Sequence, residues 1–158
     1  MSEQPPRPML LSAATIAAMP EERRVHFVNP LAIRFNKSLG DAVGLKNLGV
    51  HLVRVAPGDY STEFHAHHYE EECIYVLSGH GTATIGQSIH PIGPGDFLGF
   101  PCNAVAHELK NDGTEPLVYL VMGQRLVQEV AEYPRQGLRL FRHSGVRELV
   151  DVKQLRAV

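Results

Sequence analysis

Turns dominate the pattern of this chain. Pro57-Gly58-Asp59, Ser78-Gly79, Gly86-Gln87, Gly93-Pro94-Gly95 and Asn111-Asp112-Gly113 interrupt short runs rich in β-branched and aromatic residues. Each break places Gly, or Asn or Asp beside it, where the backbone must reverse through positive φ. Turns at this spacing predict a sandwich or barrel rather than alternating βαβ units. The expected strands are Ala32–Asn36, Leu45–Ala56, Glu63–His67, Glu72–Ser78, Gly81–Ile85, Ser88–Ile92, Asp96–Pro101, Ala106–Lys110 and Leu117–Arg125. Leu126–Tyr133 suits a strand continuation or a short helix, and Gly137–Phe141 a further strand. Arg147–Leu155, with apolar residues at 149, 150, 152 and 155, suits a terminal helix. The expected division is a flexible lead with a short helix over residues 1–24, an all-β unit over 25–145, and a C-terminal tail over 146–158.

A chain of 158 residues is long enough for one domain with a core that needs no staples. Fifteen basic and seventeen acidic residues give a net charge of −2, which argues against a broad nucleic-acid or anionic-membrane surface. No apolar run approaches the roughly 20 residues of a membrane-spanning helix. Met9–Met19 leans apolar, but Glu3 and three prolines precede it, Arg7 is the one basic residue ahead of it, and Ser12 and Thr15 interrupt it. It reads as a short helix capped by Ser12 rather than a signal peptide, behind eight proline-rich residues expected to be disordered, and the chain is expected in the cytoplasm. There the two cysteines, Cys73 and Cys102, would stay reduced. Cys73 suits a small buried strand residue.

The chemistry concentrates between Gly58 and Gly79. His65 and His67 are one residue apart, so an extended strand points both imidazoles to one face. Glu70, Glu71 and Glu72 follow, and a second segment from Pro94-Gly95-Asp96 to His107 offers a further imidazole.

Taken together, these residues resemble the two motifs of the cupin superfamily. In the first, Gly58 precedes His65-Ala66-His67, four residues lead to Glu72, and six more to Gly79. In the second stand Pro94-Gly95-Asp96, Pro101, His107 and Asn111. Asn103 occupies the place of the usual Gly, with one extra residue before His107. The chain also looks like uncharacterised single-domain cupins in Leu39–Ala42, Gly99–Pro101 and a Tyr-Leu-Val strand ending near Arg125. The resemblance implies a double-stranded β-helix, or jelly-roll barrel, with short terminal extensions. It also implies that His65, His67, Glu72 and His107 bind one divalent metal. Imidazole and carboxylate donors suit Zn, Fe, Ni, Mn or Cu alike. Spacing to Gly79 selects Glu72 and puts Ile74 and Val76 on the inner face. Glu70 and Glu71 then read as a solvated hairpin shoulder, and His68, of opposite parity, as surface.

Such a centre predicts an enzyme acting on a small oxygen-rich metabolite by dioxygenase, isomerase or decarboxylase/lyase chemistry. Arg54, Tyr60, Cys102 and Asn103 are candidate substrate-contacting wall residues by their nearness in sequence. The alternatives are a module that binds a sugar or effector without turnover, and a metal-free barrel with structural histidines. Expected partners are a small molecule and a second copy of the chain. Leu45–Ala56 and Val25–Asn36 supply more strand than a minimal barrel uses, which predicts a homodimer. No nucleic acid or membrane partner is expected.

Overall fold

The computed structural model describes residues 7–158, so most of the proline-rich start lies outside the described residues. A short helix α1 (Ala13–Ala18) follows, and the Ser12 hydroxyl accepts a hydrogen bond from the Thr15 amide at 3.1 Å, the expected cap. Strands β1 (Glu22–His26) and β2 (Asn29–Ser38) form a hairpin, and helix α2 (Leu39–Val43) turns the chain into β3 (Leu48–Val55). Then come β4 (Ala66–His67), β5 (Glu72–Ser78), β6 (Gly81–Ile85), β7 (Ser88–Ile92), β8 (Phe97–Phe100), β9 (His107–Lys110) and β10 (Leu117–Gln124). The chain finishes with β11 (Gln128–Tyr133), β12 (Leu138–His143), β13 (Val146–Asp151) and a 3-10 turn, Val152–Gln154.

Three sheets result, ordered β1-β2-β3-β10-β5-β8, β13-β12-β11-β4 and β7-β6-β9, with every strand pair antiparallel. The all-β cupin architecture is therefore present. The sheets wrap one core in which Val53, Val55, Val76 and Leu117 are fully buried. Each such side chain contributes about 1.5–3 kcal/mol by leaving water. On β5, Ile74 and Val76 face inward while Tyr75 is exposed, the alternation expected of a strand with one wet face.

Loop contacts join the sheets. Tyr60 makes a parallel bridge to Ala32 on β2 and an antiparallel one to Lys110 on β9. Asn111 is fully buried; its side-chain amide donates to the Val55 and Glu115 carbonyls at 2.8 and 2.9 Å, and its carbonyl oxygen accepts from Gly113 at 3.1 Å. A residue carried by the second motif is thus a structural clamp.

Some expectations are corrected. Val146–Asp151 is a strand, because residues 138–143 and 146–151 pair across a tight Ser144-Gly145 turn with both residues at positive φ. The apolar positions that suit a helix suit this edge hairpin equally well. The β unit begins at Glu22 rather than Val25. β3 is flanked on both sides by β2 and β10, and β1 forms the edge of that sheet. Cys73 is half-buried instead of core, and both cysteines are unpaired.

Gly79 and Gly58 separate two costs of adding a side chain. Both have positive φ, 77° and 90°, but a Cβ on Gly79 would stand 2.2 Å from the Pro116 carbonyl oxygen while one on Gly58 would meet nothing within 4 Å. Gly58→Ala is expected to cost about 1 kcal/mol, from backbone conformation alone. Gly79→Ala adds an overpacking penalty and should cost about 3 kcal/mol or more. Chemical denaturation of both variants measures the difference.

Candidate metal centre

The two motifs meet through their backbones. The His65 amide donates to the His107 carbonyl at 3.1 Å, and the His107 amide donates back to the His65 carbonyl at 2.8 Å. This isolated bridge ties the segment leading into β4 to the start of β9. His67 follows on β4, whose partner is Ala131 on β11, and Glu72 opens β5. Asn103, at a φ of 58°, fills the left-handed position usually held by Gly, and its amide donates to the His67 carbonyl at 3.0 Å. The extra residue before His107 is absorbed in that turn.

His65, His67 and Glu72 each bring a donor atom within 4.8 Å of the others, and His107 stands beside them through Glu72. His65 and His67 bring their Nε2 atoms to 3.1 Å, and His107 Nε2 lies 3.3 Å from Glu72 Oε1. The His107 ring stacks flat on Phe100, with centroids 3.5 Å apart and planes 4° from parallel. His65 and His107 are buried. The Glu63 carbonyl lies 2.8 Å from His65 Nδ1 and can accept only a hydrogen bond, so Nδ1 carries the proton and the Nε2 lone pair points into the cluster. Burial, followed by the like charges of His107 and His67, holds the His65 pKa down at about 3, so this imidazole is neutral. Burial would raise the Glu72 carboxyl, but the His107 hydrogen bond and the surrounding imidazoles outweigh it and bring it to about 2. Glu72 is therefore an anion.

Two donors each about 2.1 Å from one ion stand about 3.0–3.4 Å apart at right or tetrahedral angles, and both observed separations fall in that range. Imidazoles and one carboxylate, aimed at one another instead of at separate partners, fit a divalent transition ion.

A second cluster, His67, Glu70 and Glu129, has similar closeness but a different cause. Glu129 Oε1 accepts the amides of His68, Tyr69 and Val130 at 3.0, 3.3 and 2.9 Å, and Oε2 accepts that of Glu70. Its lone pairs are spent on backbone, and it anchors the turn that carries the ligands. Glu70 is buried, pairs with Arg142 and accepts the Leu126 amide at 2.7 Å, so it is not the solvated shoulder that sequence suggested. Neither role has a local signal, since the partners lie 56 to 72 residues away in the chain.

A cavity of about 330 Å³ opens over the cluster, walled by Ile74, Leu109, Tyr119, Val121, Tyr133 and Leu140 among others. At its rim the β1–β2 turn stacks His26 on Phe27, and both rings meet Tyr133 edge-on at 5.3 and 5.5 Å. The four wall residues expected from nearness in sequence do not line it. Arg54 alternates with the inward Val53 and Val55, so it points out, pairs with Glu21 and lies over Phe35 at 4.1 Å. Tyr60 is taken up in the inter-sheet bridges, Asn103 in its turn, and Cys102 is exposed.

Residues 51–123 match the family model described as "Cupin domain". The chain is 57% identical to a protein of Acidithiobacillus ferrooxidans provisionally described as a sugar phosphate isomerase, covering 94% of this chain and 96% of that one with a TM-score of 0.93. It is 27% identical to a sugar phosphate isomerase from a cupin superfamily of Silicibacter pomeroyi, over 94% and 96% of the two chains, with a TM-score of 0.81. A predicted oxalate decarboxylase of Thermotoga maritima shares the fold at 22% identity, 70% and 96% coverage and a TM-score of 0.60. No curated protein matches the chain at a significant level.

Glu129→Gln turns one accepting oxygen into an amide that faces a backbone N–H. It is expected to destabilise the fold by about 1–3 kcal/mol, measured by denaturant unfolding, while Glu132→Gln on the same strand changes stability far less.

Proposed function

Since the chain is a member of the cupin superfamily, we propose that His65, His67, Glu72 and His107 hold one divalent transition metal in an isomerase site for a phosphorylated sugar. The observation that carries this reading is the grouping of His65, His67 and Glu72 donor atoms within 4.8 Å of one another, with His107 Nε2 3.3 Å from Glu72, all lining one cavity. The provisional description of the 57% identical relative supplies the substrate class and reaction type. A bound divalent ion supplies Lewis acidity toward carbonyl and hydroxyl oxygens, which favours moving a proton between adjacent carbons.

The chain's own residues do the rest. Ile74, Leu109, Val121 and Leu140 make the lower walls apolar, which excludes water and strengthens every polar contact made inside. Burial, working against the nearby Arg147 and Arg34, pushes the Tyr133 phenol up to about 12, so its hydroxyl keeps its proton and donates to a bound oxygen. His26 at the rim has its pKa lowered by burial and by Arg34, against Glu63, and enters the cavity uncharged at neutral pH.

The test uses protein purified without a histidine tag. Near one equivalent of a transition metal is expected in the wild type and less than a tenth of that in His65→Ala/His107→Ala, read by elemental analysis. A metal-free wild type would overturn the metal centre. With metal bound, aldose–ketose interconversion across a panel of sugar phosphates is the expected activity, followed by proton NMR. Saturable binding of the same compounds without turnover would favour a ligand-binding role instead.

A further inference from the structure

The cavity carries four arginines at its rim, and the sheet register sets them in two facing pairs. Arg24 on β1 lies directly opposite Arg34 on β2, and Arg142 on β12 directly opposite Arg147 on β13. All four line the cavity over the donor cluster. Like charges directly opposite one another on neighbouring strands are destabilising unless something between them compensates. Two of the four have that compensation: Arg24 pairs with Glu22, and Arg142 with the buried Glu70. Among the described residues neither Arg34 nor Arg147 has an ion-pair or hydrogen-bond partner for its guanidinium.

Arg34 is notable for its place. It has the strand parity of Ala32 and Asn36, both buried, so it occupies an inward-facing position of β2. A cation on an inner face normally meets a carboxylate. The acids that line this cavity are already committed: Glu129 to backbone amides, Glu70 to Arg142, Glu72 to the donor cluster. Arg34, Arg147 and Tyr133 line the same cavity, and the charges of Arg147 and Arg34 reach the Tyr133 phenol, as does the opposing charge of Glu63. Positive charge is thus left over at the rim, while the donor cluster sits on the buried floor.

The geometry points to Arg34 and Arg147, which share the cavity wall with Tyr133, as a recognition site for the phosphate group of the substrate. This rests on the proposed reading of the cavity as a phosphorylated-sugar site, and goes beyond it by assigning the residues that select the phosphate. A substrate would lie with its oxygen-rich end on the cavity floor and its phosphate at the rim. Guanidinium is the side chain best matched to phosphate, because its planar fork meets two oxygens at once. Arg34, Tyr133 and Arg147 all fall outside residues 51–123, the segment the family model matches.

The test is calorimetric titration of the full metal-containing chain with inorganic phosphate, and separately with acetate. Wild type, Arg34→Gln, Arg147→Gln, Arg34→Lys and Arg139→Gln are compared, the last being an arginine paired with Glu132 away from the cavity rim. Phosphate affinity is expected to fall roughly tenfold to hundredfold in each Gln variant at the site, the range expected for losing a charge-assisted hydrogen bond. Arg34→Lys should recover part of the loss, Arg139→Gln should match wild type, and acetate should bind much more weakly than phosphate. The His65→Ala/His107→Ala variant separates the two ideas. Phosphate binding retained there and lost in the arginine variants supports the rim site even if no isomerase activity is found. Phosphate binding that disappears in the histidine variant and persists in the arginine variants shows phosphate on the metal and overturns the rim site. Absence of phosphate binding by the wild type overturns it as well. Unfolding midpoints of all variants show whether a loss is local.

Discussion

The reciprocal backbone hydrogen bonds between His65 and His107 hold the arrangement together. They are two amide–carbonyl contacts, 3.1 and 2.8 Å long, between residues 42 positions apart. Through them the four-stranded sheet, entered at β4, is fixed against the three-stranded sheet, entered at β9. The imidazoles ride on the atoms that make this junction, so their separation is set by main-chain geometry. Side-chain freedom then matters little. His65 is locked by the Glu63 carbonyl, and His107 by its stack on Phe100. A donor set held this way needs little rearrangement to meet an ion, which is the condition for tight and selective binding.

A second layer of support sits beneath it. Glu129 gathers the amides of His68, Tyr69 and Glu70 and so shapes the turn from β4 to β5, between His67 and Glu72. Glu70 in turn fastens Arg142 of the C-terminal hairpin. Two buried carboxylates beside a candidate metal site thus serve the backbone and the wall. Closeness to the histidines alone does not distinguish them from ligands; their hydrogen-bond partners do.

Much of this was legible in the sequence, and the parts that were not have physical reasons. Strands Glu72–Ser78, Gly81–Ile85 and Ser88–Ile92 match to the residue: Gly86-Gln87 closes the β6–β7 hairpin too tightly to leave slack in its register, and Ser78-Gly79 carries the chain from one sheet to another. The choice of Glu72 over Glu71 rests on spacing to Gly79, and the burial of Ile74 and Val76 shows that the parity it implies is kept. In the C-terminal hairpin the strand expected over Gly137–Phe141 is present; Arg147–Leu155 differs because its apolar spacing suits either period and its pairing depends on residues at positive φ, Ser144 and Gly145. The wall residues could not be found by proximity along the chain. Besides β5, β9 and β10, the cavity is lined by β1, β2, β11, β12 and β13, whose lining residues lie about 30 or more positions from the histidine pair and reach it only through the sheets.

That distribution has an evolutionary consequence. The donor cluster comes from residues 65–107, while the rim is contributed by hairpins at the two ends of the chain, residues 24–34 and 142–147. On the proposed reading, the metal donors and the phosphate-selecting rim are therefore carried on separable pieces of one polypeptide. Drift in a terminal hairpin can change which molecule is admitted without moving any imidazole. A lineage of such barrels can diversify its substrates while its inorganic chemistry stands still.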